Sequence, residues 1–174
     1  MLSNKMQNAL NKQVVAELYS AYIYLSMSAY FHSLNLGGHA KWMRIQSLEE
    51  VTHAMRIFDY LNERGGRVLV DTIDKPALKW TSPKAAFEAA YKHEQKVTGM
   101  INKLVDLAIK EKDHATEIFL QWFVAEQVEE EATADEVVQK HKLIGKDGGG
   151  LFMIDRELEQ RIFTPPAPGE GGIE

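Results

Sequence analysis

The sequence predicts an all-α fold: a four-helix bundle with a long crossover connection between helices two and three, and a short fifth helix. Three observations predict it. Pro and Gly punctuate the 174 residues in few places, leaving four long uninterrupted segments. Those segments are rich in Ala, Leu, Glu, Lys, Gln and Met, the residues that lose least on entering a helix. Apolar residues recur along each at alternating spacings of three and four, the seam of a helix packed in a bundle.

The elements follow in order. Residues 3–35 carry the stripe Leu10, Val14, Glu17, Ala21, Tyr24, Ser28 and Phe31. Gly37-Gly38 interrupts, and residues 39–64 carry Met43, Gln46, Glu50, His53, Ile57 and Tyr60. Gly65-Gly66 opens a connection running to residue 82, too long for a tight turn. A connection of that length can run the length of a bundle and make the second and third helices parallel. Ser82 before Pro83 reads as an N-cap with Pro at the first helical position. Residues 83–111 carry Phe87, Ala90, Glu94, Val97, Ile101, Leu104 and Ala108. Residues 114–144 carry Leu120, Phe123, Gln127, Glu130, Ala134, Val137 and His141. The triple Gly at 148–150 is expected to form a flexible turn before a fifth helix at 151–162, with Leu151, Ile154, Leu158 and Ile162 on one face. The expected organisation is a bundle over 1–145, a fifth helix of the same domain within 146–163, and a weakly ordered tail over 164–174.

Composition narrows the chemistry. The chain has no Cys, so it has no disulfide, no thiolate metal site and no cysteine nucleophile. Any metal must be held by carboxylates and imidazole. A net charge of −5 argues against nucleic-acid binding, whose footprint is a basic stripe. The polar start, Met1 to Asn11, does not read as a signal peptide, and no stretch is apolar for long enough to span a membrane. A soluble, cytoplasmic protein is the expectation.

Every stripe breaks near its middle with polar residues: Glu17 on the first helix, Glu50 and His53 on the second, Glu94 on the third, Gln127 and Glu130 on the fourth. One such Glu is as well explained by a misphased stripe that faces water. Four at matching depth are not. Ionised carboxylates gathered in one core layer cost several kcal/mol each unless cations sit among them.

The spacing sharpens the point. Adding 77 to positions 17, 50 and 53 gives 94, 127 and 130. Glu49 pairs with Glu126, and Trp42 with Phe119, by the same offset. The two halves are therefore a pseudo-repeat in their polar core positions. Residues at i and i+3 on a helix share a face, so Glu50 and His53 can grip one ion together. A ligand set of carboxylates with one imidazole suits iron or manganese, with zinc a competitor. Glu50 has ligand-bearing neighbours on both sides and is placed to bridge two ions.

The residues that carry a family resemblance are Glu17 in VVAELYSAYIYL, the run Glu49-Glu50-Val51-Thr52-His53-Ala54, Glu94 in YKHEQ, and WFVAEQVEEE at 122–131. On these the chain resembles a non-haem bacterial or archaeal ferritin from about Leu2 to Phe163. The ferritin-like pattern is a Glu from each of two helices plus a paired motif from each of the other two. The resemblance implies a 24-subunit shell that oxidises Fe(II) with dioxygen or hydrogen peroxide and stores ferric oxyhydroxide. It implies one iron site at Glu17, Glu50 and His53, and a second at Glu50, Glu94 and Glu130 with Gln127 adjacent. It implies a third, inner site at Glu49, Glu126 and Glu129, with Glu130 reaching over. Tyr24 matches the family tyrosine beside the centre, where it can supply an electron, and Trp122 lies nearby. Glu50, His53 and Tyr24 are thus the residues expected to carry the oxidation.

Two departures from the haem-containing branch are visible. Thr52 stands where that branch has a Met ligand, so no haem is expected. Gln127-x-x-Glu130 replaces a second Glu-x-x-His, so the centre is expected to be asymmetric. His32, His39, His93, His114 and His141 read as surface or core-edge residues rather than ligands, and Met6, Met27, Met43, Met55 and Met100 as packing. The competing functions are a ferritin-like di-iron oxidase or peroxidase without a storage shell, a DNA-protecting mini-ferritin, and a metal-free bundle.

Overall fold

The computed structural model describes residues 2–164. It has five helices: α1 (Asn4–Ser33), α2 (Gly37–Glu63), α3 (Pro83–Glu111), α4 (His114–Ile144) and α5 (Gly148–Leu158). Side-chain caps set most of the starts. Ser3 Oγ accepts from Met6 N at 3.0 Å, Ser82 Oγ from Ala85 N at 3.1 Å, and Asp113 from Thr116 N at 3.3 Å. Lys112, left-handed at φ 56°, stops α3.

All the stripe positions of the four long helices are buried. They form two apolar clusters with a polar layer between. One holds Met6, Leu10, Ile57, Ile101 and Phe123. The other holds Met27, Phe31, Met43, Phe87 and Val137. Each buried side chain of this size contributes roughly 1.5–3 kcal/mol, so the two clusters bear the cost of the polar layer between them. The pseudo-repeat shows here too: Trp42 sits in one cluster and its counterpart Phe119 in the other.

The connection between α2 and α3 runs beside α1. The Asn11 side chain donates to Arg67 O and accepts from Leu69 N. Further along, Ser26 Oγ donates to Ala77 O and Tyr30 OH to Trp80 O. The strap therefore climbs the length of α1 and starts α3 at the end where α2 also starts, making those two helices parallel.

Two boundaries differ from the expectation. The turn before α2 is made by Asn35 at φ 57°, so both glycines join the helix. The triple Gly is not a flexible turn but the first turn of α5, because Asp147 caps it by accepting from Gly150 N at 2.6 Å. The reversal falls at Gly145, φ 59°. Helix α5 ends at Leu158; Ile154 and Leu158 are buried against α2 and α4, whereas Ile162 lies beyond the helix and is exposed. Met6, Met27 and Met43 are buried as expected, while Met55 is exposed. Residues 165–174 of the expected tail lie outside the described residues.

Candidate metal centre

The 3–4 period delivers one polar face from each long helix to the same depth. Helix α1 supplies Glu17, α2 Glu50 and His53, α3 Glu94, and α4 Gln127 and Glu130, all buried. The carboxylates of Glu17 and Glu50 and the ring of His53 bring ligand atoms within 4.8 Å of one another. His53 Nδ1 lies 3.6 Å from Glu50 Oε2. Its Nε2 faces the other way, 3.9 Å from Glu126 Oε1. A second trio, His53, Glu126 and Glu130, meets the same 4.8 Å spacing.

The surrounding groups hold these side chains in place. Gln13 Nε2 donates to Glu17 Oε1 at 2.8 Å. Glu17 Oε2 is buried without a hydrogen-bond partner. The Glu50 carboxyl faces it, and two buried carboxylates side by side need a shared proton or a cation between them. Tyr24 OH donates to Glu94 Oε1, and Gln46 Nε2 donates to Glu130 Oε2. Gln127 Nε2 lies 3.3 Å from Glu94 Oε2 and 3.3 Å from Thr98 Oγ1. The His53 ring meets Trp122 edge-on at 5.4 Å between centroids.

Crowded, desolvated carboxylates resist ionisation. Burial, then Glu94 and Glu17, push the Glu50 carboxyl well above the usual range. Burial raises Glu94 to about 7 against the hydrogen bond from Tyr24, and burial with the nearby Glu94 raises Glu130 to about 8. Burial also raises Glu17, with His53 opposing it. Burial and the adjacent Glu94 push the Tyr24 phenol up, so it stays protonated and donates. A cation among these groups would reverse the balance and deprotonate them.

The structure brings the first expected ligand set together and leaves the second apart. Glu50, Glu94 and Glu130 do not meet within the 4.8 Å spacing; Glu130 instead joins His53 and Glu126. Tyr24 holds Glu94 and Gln46 holds Glu130. On the flank, Glu49, Glu126, Glu129 and Glu130 line one cavity of about 130 Å³ with Thr133 and Arg161.

Sequence reasoning gave no role to Gln13, one turn from its partner Glu17, to Gln46, which reaches Glu130 on another helix, or to Arg161. His93 lies at the core edge, as expected. It is half-buried, with Nε2 2.8 Å from Ser20 Oγ and its ring edge-on to Tyr24, and burial lowers its pKa to about 4. His39 and His141 are fully within the core.

Comparison with known proteins agrees with this architecture. The model of the ferritin-like domain family matches residues 7–144. The chain is 48% identical over 161 residues to a bacterial non-heme ferritin of Bacteroides fragilis, covering 92% of this chain and all of that one. It is 40% identical over 158 residues to the bacterial non-heme ferritin of Escherichia coli, covering 91% of this chain and 96% of that one. The open-pore ferritin of the hyperthermophilic archaeon Archaeoglobus fulgidus superposes with a TM-score of 0.92 at 53% identity, covering 93% of this chain and all of that one. Among the described residues, no helix is long and apolar enough to cross a membrane. With the buried Glu/His layer and the bundle that surrounds it, these likenesses place the chain in the ferritin family.

Proposed function

We propose that this protein stores iron: it binds two ferrous ions in the polar layer, oxidises them, and deposits a ferric oxyhydroxide mineral inside a cytoplasmic shell of 24 copies. The observation that carries this reading is the convergence of the buried Glu17, Glu50 and His53, whose ligand atoms lie within 4.8 Å of one another. Ferrous iron is the substrate here. Glu17, Glu50 and His53 hold one ion. Glu50 also reaches the second, which Glu94 and Glu130 hold with Gln127 adjacent. Small rotations of Glu94 and Glu130 toward the cations complete that second site.

The carboxylates stabilise the more highly charged ferric state and so favour electron loss to dioxygen or hydrogen peroxide. Two ferrous ions supply two electrons, enough to reduce dioxygen to peroxide or peroxide to water. Glu130, raised to about 8 in the metal-free layer, releases its proton as the ions enter, and the ions favour the ionised form of Glu50, which burial otherwise opposes. Tyr24 orients Glu94 through its hydroxyl and is placed to supply a further electron. Glu49, Glu126 and Glu129, with Glu130 reaching over, receive a third ion at the flanking cavity. No haem is proposed, because Thr52, whose hydroxyl donates to Glu49 O at 2.7 Å, stands where the haem-containing branch has a Met.

Assembly is supported by α5. Phe152 and Met153 on its outer side are 62% and 73% exposed, an apolar surface for packing against other copies. The net charge of −5 per chain, multiplied over a shell, draws in Fe(II).

The test is the initial rate of ferrous oxidation with each oxidant in Glu50→Gln and His53→Ala shells. Loss of at least about a hundredfold is expected, larger than effects of residues behind the ligands. Unchanged rates sink the assignment. Native mass separates the alternative: 24 copies fit storage, and a dimer fits an oxidase without a shell.

A further inference from the structure

Arg161 lies just beyond α5, and its head group enters the flanking acidic cavity. Its Nη2 is 2.5 Å from Glu49 Oε2, and its Nη1 donates to Gln46 Oε1 at 2.8 Å. The guanidinium carbon stands 4.4 Å from the centroid of the buried Trp42 ring. Gln46 is shared: its oxygen holds Arg161 while its amide donates to Glu130. One side chain therefore links the head group to the inner centre.

A guanidinium keeps its charge at every working pH, and its planar fork and ring stacking lock its position. It lines the cavity together with Glu49, Glu126, Glu129 and Glu130. We propose that Arg161 is a built-in counter-cation that competes with a divalent cation for Glu49 and keeps that cation weakly held. The inference rests on reading the cavity as the third iron site. An ion arriving there meets like charge and must share Glu49 or push the guanidinium aside. A weakly held ion passes onward, as a transfer site between centre and mineral requires, where a tight site would trap it.

The experiment is a calorimetric titration of the assembled, iron-free protein with Zn2+, a redox-inert divalent cation. The native chain is compared with Arg161→Gln, Arg161→Lys and the double variant Glu126→Gln/Glu129→Gln. Arg161→Gln is expected to tighten the weakest class of Zn2+ about five- to tenfold, the size expected for removing one part-exposed charge. Arg161→Lys, which keeps the charge, is expected to stay within about threefold of the native affinity. The double variant is expected to lose one Zn2+ per subunit. If it loses one but Arg161→Gln leaves the affinity unchanged, the counter-cation role falls and the third site stands. If Arg161→Lys tightens binding as much as Arg161→Gln, charge is not the cause and the role falls. If the double variant loses none, the cavity holds no ion and both readings fall.

Discussion

The Nε2 atom of His39 lies 3.2 Å from the Nε2 atom of His141, inside the half of the bundle that carries α5. The other ring nitrogen of His39 lies 2.6 Å from Asp155 Oδ1, and the His39 backbone N–H donates to the same oxygen at 2.9 Å. With the His39 Nδ1 proton given to Asp155, the network assigns His39 Nε2 as acceptor and His141 Nε2 as donor. One chain of hydrogen bonds thus ties α4 to α2 and α2 to α5. Phe31 and Phe87 enclose it.

Both rings are neutral in this arrangement. Burial lowers the His141 pKa to about 4, with His39 and Lys84 adding to the shift; burial also lowers His39, and Asp155 opposes it. Between pH 6.5 and about 4 the unfolded chain therefore binds protons that the folded chain refuses, and stability falls as pH falls through that window. The His141 contribution is on the order of 2 kcal/mol. In His141→Gln, the acid-side slope of melting temperature against pH is expected to flatten. An unaltered slope contradicts the assignment.

The carboxylate layer has the opposite sign. Glu94 and Glu130 have folded pKa values of about 7 and about 8, above the ordinary 4.5. Their contribution is fully present below about pH 4.5 and is lost as pH rises through 7 to 8. Above the histidine window, metal-free protein is therefore expected to lose stability from pH 6.5 to pH 8, and Zn2+ to restore more of it at pH 8 than at pH 6.5. Equal gains at both pH values, read from thermal melts, contradict this.

Gly38 is fixed by contact rather than by backbone angle. A Cβ there would stand 1.7 Å from the Asp155 carbonyl oxygen. Gly38→Ala is expected to push α5 off α2, breaking the Asp155–His39 contact and costing about 1–3 kcal/mol. Thermal melting with light scattering checks it, since displaced α5 also weakens assembly. Native melting and native size in this variant mean that α5 docks loosely already.

Tyr24→Phe removes the hydroxyl that lowers the Glu94 pKa. Protons then compete better with the second ferrous ion. The pH profile of oxidation is expected to move to higher pH, with the number of Zn2+ bound per subunit unchanged. A profile that stays in place means Tyr24 does not tune Glu94.

The bundle and its polar layer were legible because helical period is written locally. Glu17, Glu50, His53, Glu94, Gln127 and Glu130 each interrupt an apolar stripe, and the 77-residue repeat set them at matching depths. The supporting shell was less legible. Gln13 looks like an ordinary polar helix residue until Glu17 is seen beside it, and Gln46, though on the core stripe, shows nothing of its partner Glu130 on another helix. His39 and His141 are 102 positions apart and meet only through tertiary packing. Arg161 lies outside any periodic element, and its role depends on where the chain turns after α5. The fifth helix was misplaced by three residues at its start because the capping strength of Asp147 outweighed the flexibility of three glycines.

The central claim is that two ferrous ions share Glu50 in the polar layer. A crystal structure of the protein soaked anaerobically with Fe(II), with anomalous data at the iron edge, tests it most directly. The account predicts two ions about 3.5–4 Å apart. Glu17 and His53 would hold one ion, Glu94 and Glu130 the other, and Glu50 would lie between them. A Glu50 carboxylate in contact with no ion, or a single ion held elsewhere, would contradict it.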